Sequence, residues 1–445
     1  MTDALDYQAA MLIPHPFWLN LSPSTVKQRI EQLLAAPDSA ALVQALSPIE
    51  YTVLLKAAPD LCPVLLQLGN PEQIRTVLDL DCWHKDTLQG VRVLEWLDAL
   101  LQSGDETFVQ TLYALDPEML SVVLHRIMHV HAAPTIEEDL DPGPYDEVLA
   151  NELYRVTFTD PDSPANEQVA EVLRRLLLAE RDLYYSLMQD VMGTQESEME
   201  ELAYRWKTGR LQDEGIPDYY EALDTYHVIE VEPLHLPAPV PLESPGVPVS
   251  AEESGVIPRY AWSFTPAGSL LAQALHHQFA PATLERLCWE MVALCNKAMV
   301  LDQVDFADTD AVRLTLGRVH AHVNIGVEYC SGQQPQLLIP LLTERSLLSV
   351  AQTGFSLSMR LKQRAMRLQT HLNSAPGVRR ALPSVARYVV DGLLHTWYPQ
   401  FFLGLESPEE MVYRDFLHLR DIQLVDTMLS ALEHDPAYHL LRAAA

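Results

Sequence analysis

The sequence predicts an all-α fold, with stacked helical hairpins in the N-terminal third and a helical domain at the C-terminal end. Leucine, a strong helix former, occurs 71 times in 445 residues, against only 17 glycines. Apolar residues make up 48% of the chain and charged residues 20%, which is enough apolar material for buried cores. Because single cores stop growing at roughly 250 to 300 residues, we expect more than one domain.

Helix starts recur along the N-terminal third of the chain. A small polar residue precedes a proline at four places, namely Ser22-Pro23, Ser47-Pro48, Asn70-Pro71 and Asp116-Pro117. The spacings between these prolines are 25, 23 and 46 residues, the last being twice 23. The oxygen of Ser, Asn or Asp can cap a helix, and proline fits the first helical position without loss of a hydrogen bond. We therefore predict that residues 1–135 form a helical-repeat domain.

An acidic helical segment is predicted next, over residues 136–232. It opens with EEDLDPGPYDE at residues 137–147, where two prolines and a glycine predict a loop. Apolar residues then recur at helical steps from Asn166 to Met192, which predicts one long amphipathic helix. Seven prolines in residues 233–258 predict an extended linker.

The remaining residues, 259–445, are predicted to form a C-terminal helical domain. Leu, Cys and Met side chains follow the linker at helical spacing, from Leu284 to Met299. Near the end, Ser407-Pro408-Glu409-Glu410 combines a cap, a proline and an acid at the third helical position. We therefore predict that the terminal helix begins there and runs toward Leu432.

Composition and charge exclude several classes of protein. The net charge is −31 at pH 7, from 61 acidic and 30 basic residues, which opposes binding to nucleic acid. No basic N-terminal region leads into an apolar core and no run of 18 apolar residues occurs, so we expect neither a secretion signal nor a membrane span. The five cysteines lack CxxC spacing, which favours reduced thiols in the cytoplasm.

Two histidines offer a metal-binding alternative in a chain that lacks the common catalytic motifs. There is no GxxxxGK[ST], GxGxxG, GxSxG or HExxH sequence, and we expect no cofactor. His125 and His129 are four residues apart, so on a helix they would share one face, as two ligands of one metal ion do. An acid near Glu137 would be a third ligand. The favoured interpretation of the pair is structural, because histidine pairs without further ligands rarely bind metal.

A basic stripe interrupts the acidic chain. Residues 345–390 contain no Asp or Glu and eight basic side chains. Arg360, Arg364 and Arg367 fall on one face of a predicted helix. The stripe as a whole comprises Arg360, Lys362, Arg364, Arg367, Arg379 and Arg380. Guanidinium groups match phosphate and carboxylate, so the stripe predicts binding of an anionic ligand or partner, or docking on the protein's own acidic loop. Docking is the favoured interpretation.

A third candidate site lies between the predicted repeats. Asp79, Asp81 and Trp83 could line a groove between two helical hairpins. A capping aspartate and a packed tryptophan explain the same residues, and this structural interpretation is favoured.

Four stretches of the chain carry a resemblance to a known family. They are ALVQALSPIEYTVLLKAA, NPEQIRTVLDLDCWHKDTLQGVRVLEWLDALL, GVEYCSGQQPQLLIPLL and SLSMRLKQRAMRL. The most specific stretch runs from Gln73 to Trp96 and includes Asp79, Asp81 and Trp83. Together they resemble a bacterial family of about this length that is catalogued only as a domain of unknown function. The resemblance implies kinship without an activity, and no catalytic residue is transferred from it.

A second likeness concerns the N-terminal domain alone. Leu115-Asp116-Pro117-Glu118 is similar to the repeated helix starts in the cytosolic helical domain of MgtE-type magnesium transporters. This likeness covers at most residues 20–131. It implies a way of stacking short helices and does not imply transport, because the membrane helices of those proteins are absent from this sequence.

Together these patterns predict a non-enzymatic interaction or regulatory scaffold protein with a protein partner. Stacked helices expose a long surface and bring together few polar groups for chemistry. Two alternatives remain open: a metal-dependent enzyme or regulator that uses His125 and His129, and an anion or phosphate sensor that uses the stripe at Arg360, Arg364 and Arg367.

Overall fold

The chain folds into two compact units built of α-helices. The computed structural model describes residues 23–132, 153–231, 262–275, 279–374 and 384–434. The first unit consists of the described residues up to Tyr219 together with Gln303–Thr309. The second consists of Tyr220–Asp302 and the residues from Asp310 onward. The loop predicted at 137–147 and the linker predicted at 233–258 lie outside the described residues.

Helices dominate the first unit, with two short hairpins of strands. The helices are α1 (Pro23–Ala35), α2 (Ser39–Gln44), α3 (Pro48–Ala57), α4 (Cys62–Leu68), α5 (Pro71–Asp81), α6 (Gly90–Gln102), α7 (Asp105–Ala114), α8 (Pro117–Ile127), α9 (Ala165–Ala179), α10 (Arg181–Gly193) and α11 (Glu196–Asp213). The antiparallel hairpins pair β1 (Trp83–His84) with β2 (Thr87–Leu88), and β3 (Met128–Ala132) with β4 (Tyr154–Phe158). The all-α prediction is confirmed.

The four helix starts predicted from proline are confirmed. Helices begin at Pro23, Pro48, Pro71 and Pro117. Ser47 and Asn70 form capping boxes: the Ser47 hydroxyl accepts from the Glu50 amide at 3.3 Å, and the Asn70 side chain accepts from the Gln73 amide at 2.8 Å. Asp116 caps nothing, because its carboxylate is used in an ion pair described below.

Helices α1 to α7 of the first unit contact their next-but-one neighbours. One row runs through α1, α3, α5 and α7, and a second runs through α2, α4, α6 and α9. Gln73 joins the rows at their start, since its side-chain amide donates to the carbonyl oxygens of Val43 and Leu46 at 3.1 and 2.9 Å. The buried apolar residues of both rows belong to one continuous core.

The prediction of one long helix from Asn166 to Met192 is wrong, because the helix is interrupted at Glu180. The backbone there has φ −144° and ψ 79°, which ends α9, and α10 starts at the next residue. The break lets α9 and α10 pack against each other. Contacts between helices have overridden a local sequence that continues the helical pattern.

A buried arginine clamp joins three helices of the first unit. Arg210 on α11 donates two hydrogen bonds to Asp79 on α5, at 2.8 and 2.9 Å. It also donates to Asp116, just before α8, at 2.9 and 2.6 Å. Asp79 is only 2% exposed, and this burial raises its pKa although the Arg210 guanidinium opposes the shift. Such a pair is costly to break by removing one partner.

The second unit contains three helices of 21 to 28 residues. Its helices are α12 (Tyr219–Ala222), α13 (Leu270–Leu275), α14 (Pro281–Leu301), α15 (Thr309–Cys330), α16 (Leu338–Glu344), α17 (Leu347–Ser374), α18 (Ser384–Leu394) and α19 (Leu419–Glu433). Strand β5 (Gln400–Phe402) pairs antiparallel with β6 (Tyr413–Asp415). Helix α15 packs so closely on α17 that a Cβ at Gly326 would lie 2.0 Å from the Val350 carbonyl oxygen. A Cβ at Gly354 would meet the His322 carbonyl oxygen at the same distance.

The predicted start of the terminal helix at Ser407 is wrong. Residues 407–410 form a turn, in which the Glu410 amide donates to the Ser407 carbonyl oxygen at 2.8 Å. The chain then forms β6, in which Tyr413 is the partner of Phe402. Helix α19 begins at Leu419. The capping pattern at Ser407 therefore does not start a helix, because the residues that follow it pair as a strand. The local sequence pattern does not predict this pairing.

Replacing Arg210 by methionine should destabilise the first unit. The change leaves the Asp79 carboxylate buried without its cation, so we expect a loss of about 3 kcal/mol in the free energy of unfolding. Urea unfolding followed by circular dichroism measures it. Arg205→Met on the same helix is the control, since Arg205 is 68% exposed in its pair with Glu201 and should cost under about 0.5 kcal/mol. Equal effects of both variants would refute the clamp.

Candidate functional site

A polar cleft of about 500 Å³ opens in the second unit. It lies where the C-terminal end of α15 meets the N-terminal end of α19. The lining residues are Leu270, Glu328, Gln333, Glu406, Arg414, Leu417, His418, Arg420 and Asp421. It brings five charged side chains together with a titratable imidazole, and this combination is typical of binding and catalytic sites.

The carboxylate of Glu328 organises the cleft. Glu328 is 6% exposed and lies near the end of α15. Its Oε2 accepts the backbone N–H of Leu419 at 2.6 Å, and its Oε1 accepts the side-chain amide of Asn324 at 2.9 Å. Asn324 also donates to the Leu417 carbonyl oxygen at 2.8 Å. These bonds fasten α15 to the first residue of α19.

His418 is held against Glu328. Its Nδ1 lies 3.1 Å from Glu328 Oε1, and the hydrogen bond to this carboxylate raises the pKa of the imidazole above its usual value of 6.5. Partial burial and the nearby Arg414 guanidinium oppose the shift. Because Nδ1 faces the carboxylate, it carries the ring proton, and Nε2 is the nitrogen left to act on a ligand.

A second carboxylate fixes the backbone around the imidazole. Asp421 is 2% exposed and accepts the amides of Leu417 and His418 at 2.9 and 3.2 Å. It also binds both terminal nitrogens of Arg414, at 2.7 and 3.2 Å, and Arg414 extends to Glu406 at 3.3 Å. These donors hold the pKa of Asp421 below its usual value although burial alone would raise it. The acidic side chains of the cleft are therefore already paired.

Arg420 differs from the other charged residues of the cleft. It is exposed at the second position of α19, and it makes no ion pair within 4 Å with any carboxylate of the described residues. Gln333 lies on the same cleft in a left-handed backbone conformation, with φ 59°. This conformation is uncommon in a residue other than glycine, and here it belongs to the turn that ends α15, in which the Gln333 amide donates to the Glu328 carbonyl oxygen at 2.9 Å.

The structure separates the two histidines of the metal prediction. Helix α8 ends at Ile127, so His125 is on the helix and His129 is on strand β3, where it is exposed. The expected shared helix face is therefore wrong, because residues 128–132 pair with β4 instead of continuing the helix. His125 Nδ1 lies 3.9 Å from Glu196. The described residues contain no group of three His, Cys, Asp or Glu side chains that could hold a metal ion.

Asp79, Asp81 and Trp83 lie close together in the chain but have separate roles. Asp79 is held by Arg210, as above. Asp81 accepts hydrogen bonds from Lys56 at 2.5 Å, Arg92 at 2.7 Å and Trp96 at 2.9 Å. Trp83 is 8% exposed. Neither aspartate acts as a helix cap, and ion pairing with bases distant in the chain is what the sequence interpretation missed.

Two members of the basic stripe, Lys362 and Arg364, make contacts within the second unit. Arg364 binds Glu433 through two bonds, at 3.1 and 2.8 Å, and Asp426 at 2.5 Å. Lys362 donates to the carbonyl oxygens of Thr396 and Trp397 at 2.6 and 2.7 Å.

The other members of the stripe contribute little to these contacts. Arg360 and Arg367 are exposed. Arg360 reaches only the Val231 carbonyl oxygen, at 3.4 Å. Arg379 and Arg380 lie outside the described residues, as does the acidic loop proposed as the docking partner. For Arg364, the contacts are made with the acids of α19.

Sequence reasoning missed the cleft itself. Glu328 and His418 are 90 residues apart, and neither stands in a catalytic motif. The only local signal was the pattern His418, Leu419, Arg420, Asp421, in which an acid at the third helical position predicts an N-terminal cap. The sequence prediction placed the N-terminal cap of the last helix at Ser407, eleven residues before His418, and therefore did not use this pattern.

Comparison with known proteins gives a family without a function. Residues 9–435 match the family described as "Family of unknown function (DUF6178)". No curated protein and no solved structure matches the chain. None of the helices in the described part of the chain is both long and apolar enough to cross a membrane.

Glu328→Gln should lower the pKa of His418. An amide cannot supply the negative charge that favours the imidazolium, so the raised pKa should fall toward or below 6.5. Proton NMR titration of the imidazole measures the shift, and Glu406→Gln, which does not touch His418, is the control.

The same interaction has a defined effect on stability. Because the folded-state pKa of His418 is raised, the stabilisation is complete at low pH, below the unfolded pKa, and is lost as pH rises through the folded pKa. In Glu328→Gln, the contribution of His418 to the pH dependence of the free energy of unfolding should vanish. A pKa of His418 that stays unchanged in this variant would contradict the assignment.

Proposed function

We propose a ligand-binding function for this chain, which belongs to the family of unknown function DUF6178. The cleft at His418 takes a small ligand that carries a carboxylate or phosphate group. This proposal depends on two observations. The basic side chains of His418 and Arg420 line the cleft, and Arg420 has no acidic partner among the described residues.

Charge pairing in the cleft supports an anionic ligand. Glu328 and Asp421 are buried and saturated with donors, and Glu406 shares Arg414 with Asp421. The cleft has three carboxylates, two guanidiniums and one imidazole, and among the described residues the guanidinium of Arg420 is the one that no carboxylate of the cleft pairs. A guanidinium forms two parallel hydrogen bonds with a carboxylate or phosphate, and an imidazolium adds a third.

The N-terminal end of helix α19 also favours an anionic ligand. Arg420 is the second residue of α19, a helix of 15 residues, so the ligand group would approach the positive end of the helix dipole. The amide of Leu419 is already used by Glu328, but the helix field and the two cationic side chains act in the same direction.

Proton transfer is the chemistry that the cleft can supply beyond binding. Glu328 holds Nδ1 of His418, and this leaves Nε2 to accept or donate a proton. We regard binding as the primary function, because no nucleophilic Ser, Thr or Cys lines the cleft in the described residues. This supports a regulatory role more than a covalent reaction.

Binding of inorganic phosphate and of succinate tests the proposal. Titration calorimetry on the full chain, at a pH below the pKa of His418, should detect one of these anions, and their comparison separates a phosphate site from a carboxylate site. Arg420→Ala should weaken binding roughly tenfold or more, because a charge-assisted hydrogen bond contributes about 1.5 to 3 kcal/mol.

Arg360→Ala is the matched control. Arg360 is also exposed and belongs to the same unit, but it lies on the basic stripe and does not line the cleft. Binding that survives Arg420→Ala and is lost in Arg360→Ala would move the anion site to the stripe. Binding of neither anion would refute the proposal.

A second candidate function is a protein-interaction scaffold on the first unit. We propose that its two rows of helices are helical-hairpin repeats that expose a groove of about 750 Å³. Arg75 lies in this groove, where it donates to the Ala114 carbonyl oxygen at 3.2 Å. Its buried Nε has no partner in the described residues. Glu72 and Glu180 line the same groove, and Arg75 is the one cationic side chain among its lining residues, so we expect Arg75 to bind a single carboxylate or carbonyl group of a docked peptide.

Charge reversal at Arg75 tests the scaffold function. Proteins that the full chain captures from its native cell should be lost with Arg75→Glu and retained with Arg174→Glu, which alters a 43% exposed residue paired with Glu171. Capture of the same proteins by both variants would exclude this groove as the binding surface. The five free cysteines favour a reducing compartment such as the cytoplasm for either function.

A further inference from the structure

We propose that the ligand of the cleft is a free amino acid, a proposal that rests on the anion-binding function proposed above. The carboxylate of the amino acid takes the anion site at Arg420. The ammonium group of the same molecule binds the carboxylate of Glu406, which also lines the cleft. Glu406 is therefore a ligand-binding residue that selects a zwitterion over a simple anion.

Four charged side chains of the cleft form two pairs. Glu328 lies 3.1 Å from Nδ1 of His418, and this carboxylate balances the imidazolium. Asp421 accepts from both terminal nitrogens of Arg414, at 2.7 and 3.2 Å. Each pair joins one acid and one base, so together the four groups leave no net charge when the imidazole is protonated.

The two remaining charged side chains of the cleft have opposite signs. They are the carboxylate of Glu406 and the guanidinium of Arg420. A site recognises its ligand by charges that complement those of the ligand. One acid and one base beyond the balanced pairs complement a ligand that carries both an ammonium group and an acid group.

Glu406 is the least committed of the three carboxylates. Its side chain is 31% exposed, against 8% for Glu328 and 2% for Asp421. Its Oε2 accepts from Nη2 of Arg414 at 3.3 Å, and Asp421 accepts from the same nitrogen at 3.2 Å. Its Oε1 accepts no hydrogen bond within the described residues. A carboxylate oxygen of Glu406 is thus left to accept from a ligand.

Glu406 and Arg420 do not neutralise each other. They line one cleft of about 500 Å³, but no nitrogen of Arg420 lies within 4 Å of an oxygen of Glu406. Glu406 follows strand β5 in the chain, whereas Arg420 is in the first turn of α19. Because different elements hold the two charges apart, a small molecule between them can contact both.

An α-amino acid has the groups that complement this arrangement. Its carboxylate accepts two parallel hydrogen bonds from a guanidinium, and the imidazolium of His418 adds a donor. Its ammonium has three N–H donors, and a carboxylate is their strongest acceptor. Leu270 gives the cleft an apolar surface for the carbon chain.

L-Aspartate and succinate are the probes that test the ammonium contact, because they differ only by the amino group. Titration calorimetry on the full chain, at the pH used for succinate above, should show L-aspartate binding about fivefold more tightly or better. The reason is one added charge-assisted hydrogen bond at a partly exposed carboxylate. L-Aspartate that binds no more tightly than succinate would overturn the proposal.

Glu406→Gln should remove the preference for L-aspartate. The amide has no charge to pair with the ammonium, whereas succinate should bind as before or more tightly, because a negative charge has left the cleft. Unchanged succinate binding also shows that the cleft is intact in the variant. A preference that survives Glu406→Gln, or an equal loss of both ligands, would show that Glu406 does not bind the ammonium.

Glu410→Gln is the matched control. Glu410 is an exposed acid four residues further along the chain, and it does not line the cleft. The preference for L-aspartate should be kept in this variant. Loss of the preference in Glu410→Gln to the same extent as in Glu406→Gln would mean that L-aspartate responds to net charge alone, and would overturn the proposal.

The ammonium contact and the anion site fail in different ways. Binding of phosphate or succinate without a preference for L-aspartate keeps the anion site and removes the ammonium contact. Binding of none of the three probes refutes the anion site, and the ammonium contact with it. Binding of L-aspartate that is weakened by Arg420→Ala and by Glu406→Gln supports both.

Discussion

The buried carboxylate of Glu328 is the constraint on which the C-terminal cleft depends. One side chain near the end of α15 accepts from the first amide of α19, from Asn324 and from His418. It therefore sets where α19 begins, how the imidazole is oriented and which of its nitrogens remains free. A buried carboxylate is costly unless every oxygen is satisfied, so these contacts must form together.

Arginine has a consistent role in this acidic protein. Three arginines pair with buried or partly buried acids: Arg210 with Asp79 and Asp116, Arg318 with Asp302 and Asp415, and Arg414 with Asp421. The planar guanidinium can serve two carboxylates at once, which a lysine does less well. Against this background, Arg420 and Arg75 are informative because their donors are not used up by acids in the described residues.

Local signals were readable from the sequence, and distant pairings were not. The starts at Pro48 and Pro71 were predictable because cap and proline act within one helical turn. The break at Glu180 and the end of α8 before His129 depend on which surfaces pack or pair, and the same local sequence permits a longer helix.

The cleft illustrates why a site is harder to predict than an element. Its imidazole and its buried carboxylate come from segments 90 residues apart, and without the fold each is one acid or one histidine among many. The charge count identified the basic stripe, but a count cannot tell that Arg364 pairs with Glu433. Exposure and pairing decide which cation is available, and both are properties of the folded chain.

A crystal structure of the full chain grown in inorganic phosphate tests the central claim most directly. The account predicts a phosphate in the cleft, within hydrogen-bond distance of His418 Nε2 and the Arg420 guanidinium, with Glu328 still bonded to Nδ1. A cleft that holds only water, with Arg420 turned onto a carboxylate of the protein, would contradict it.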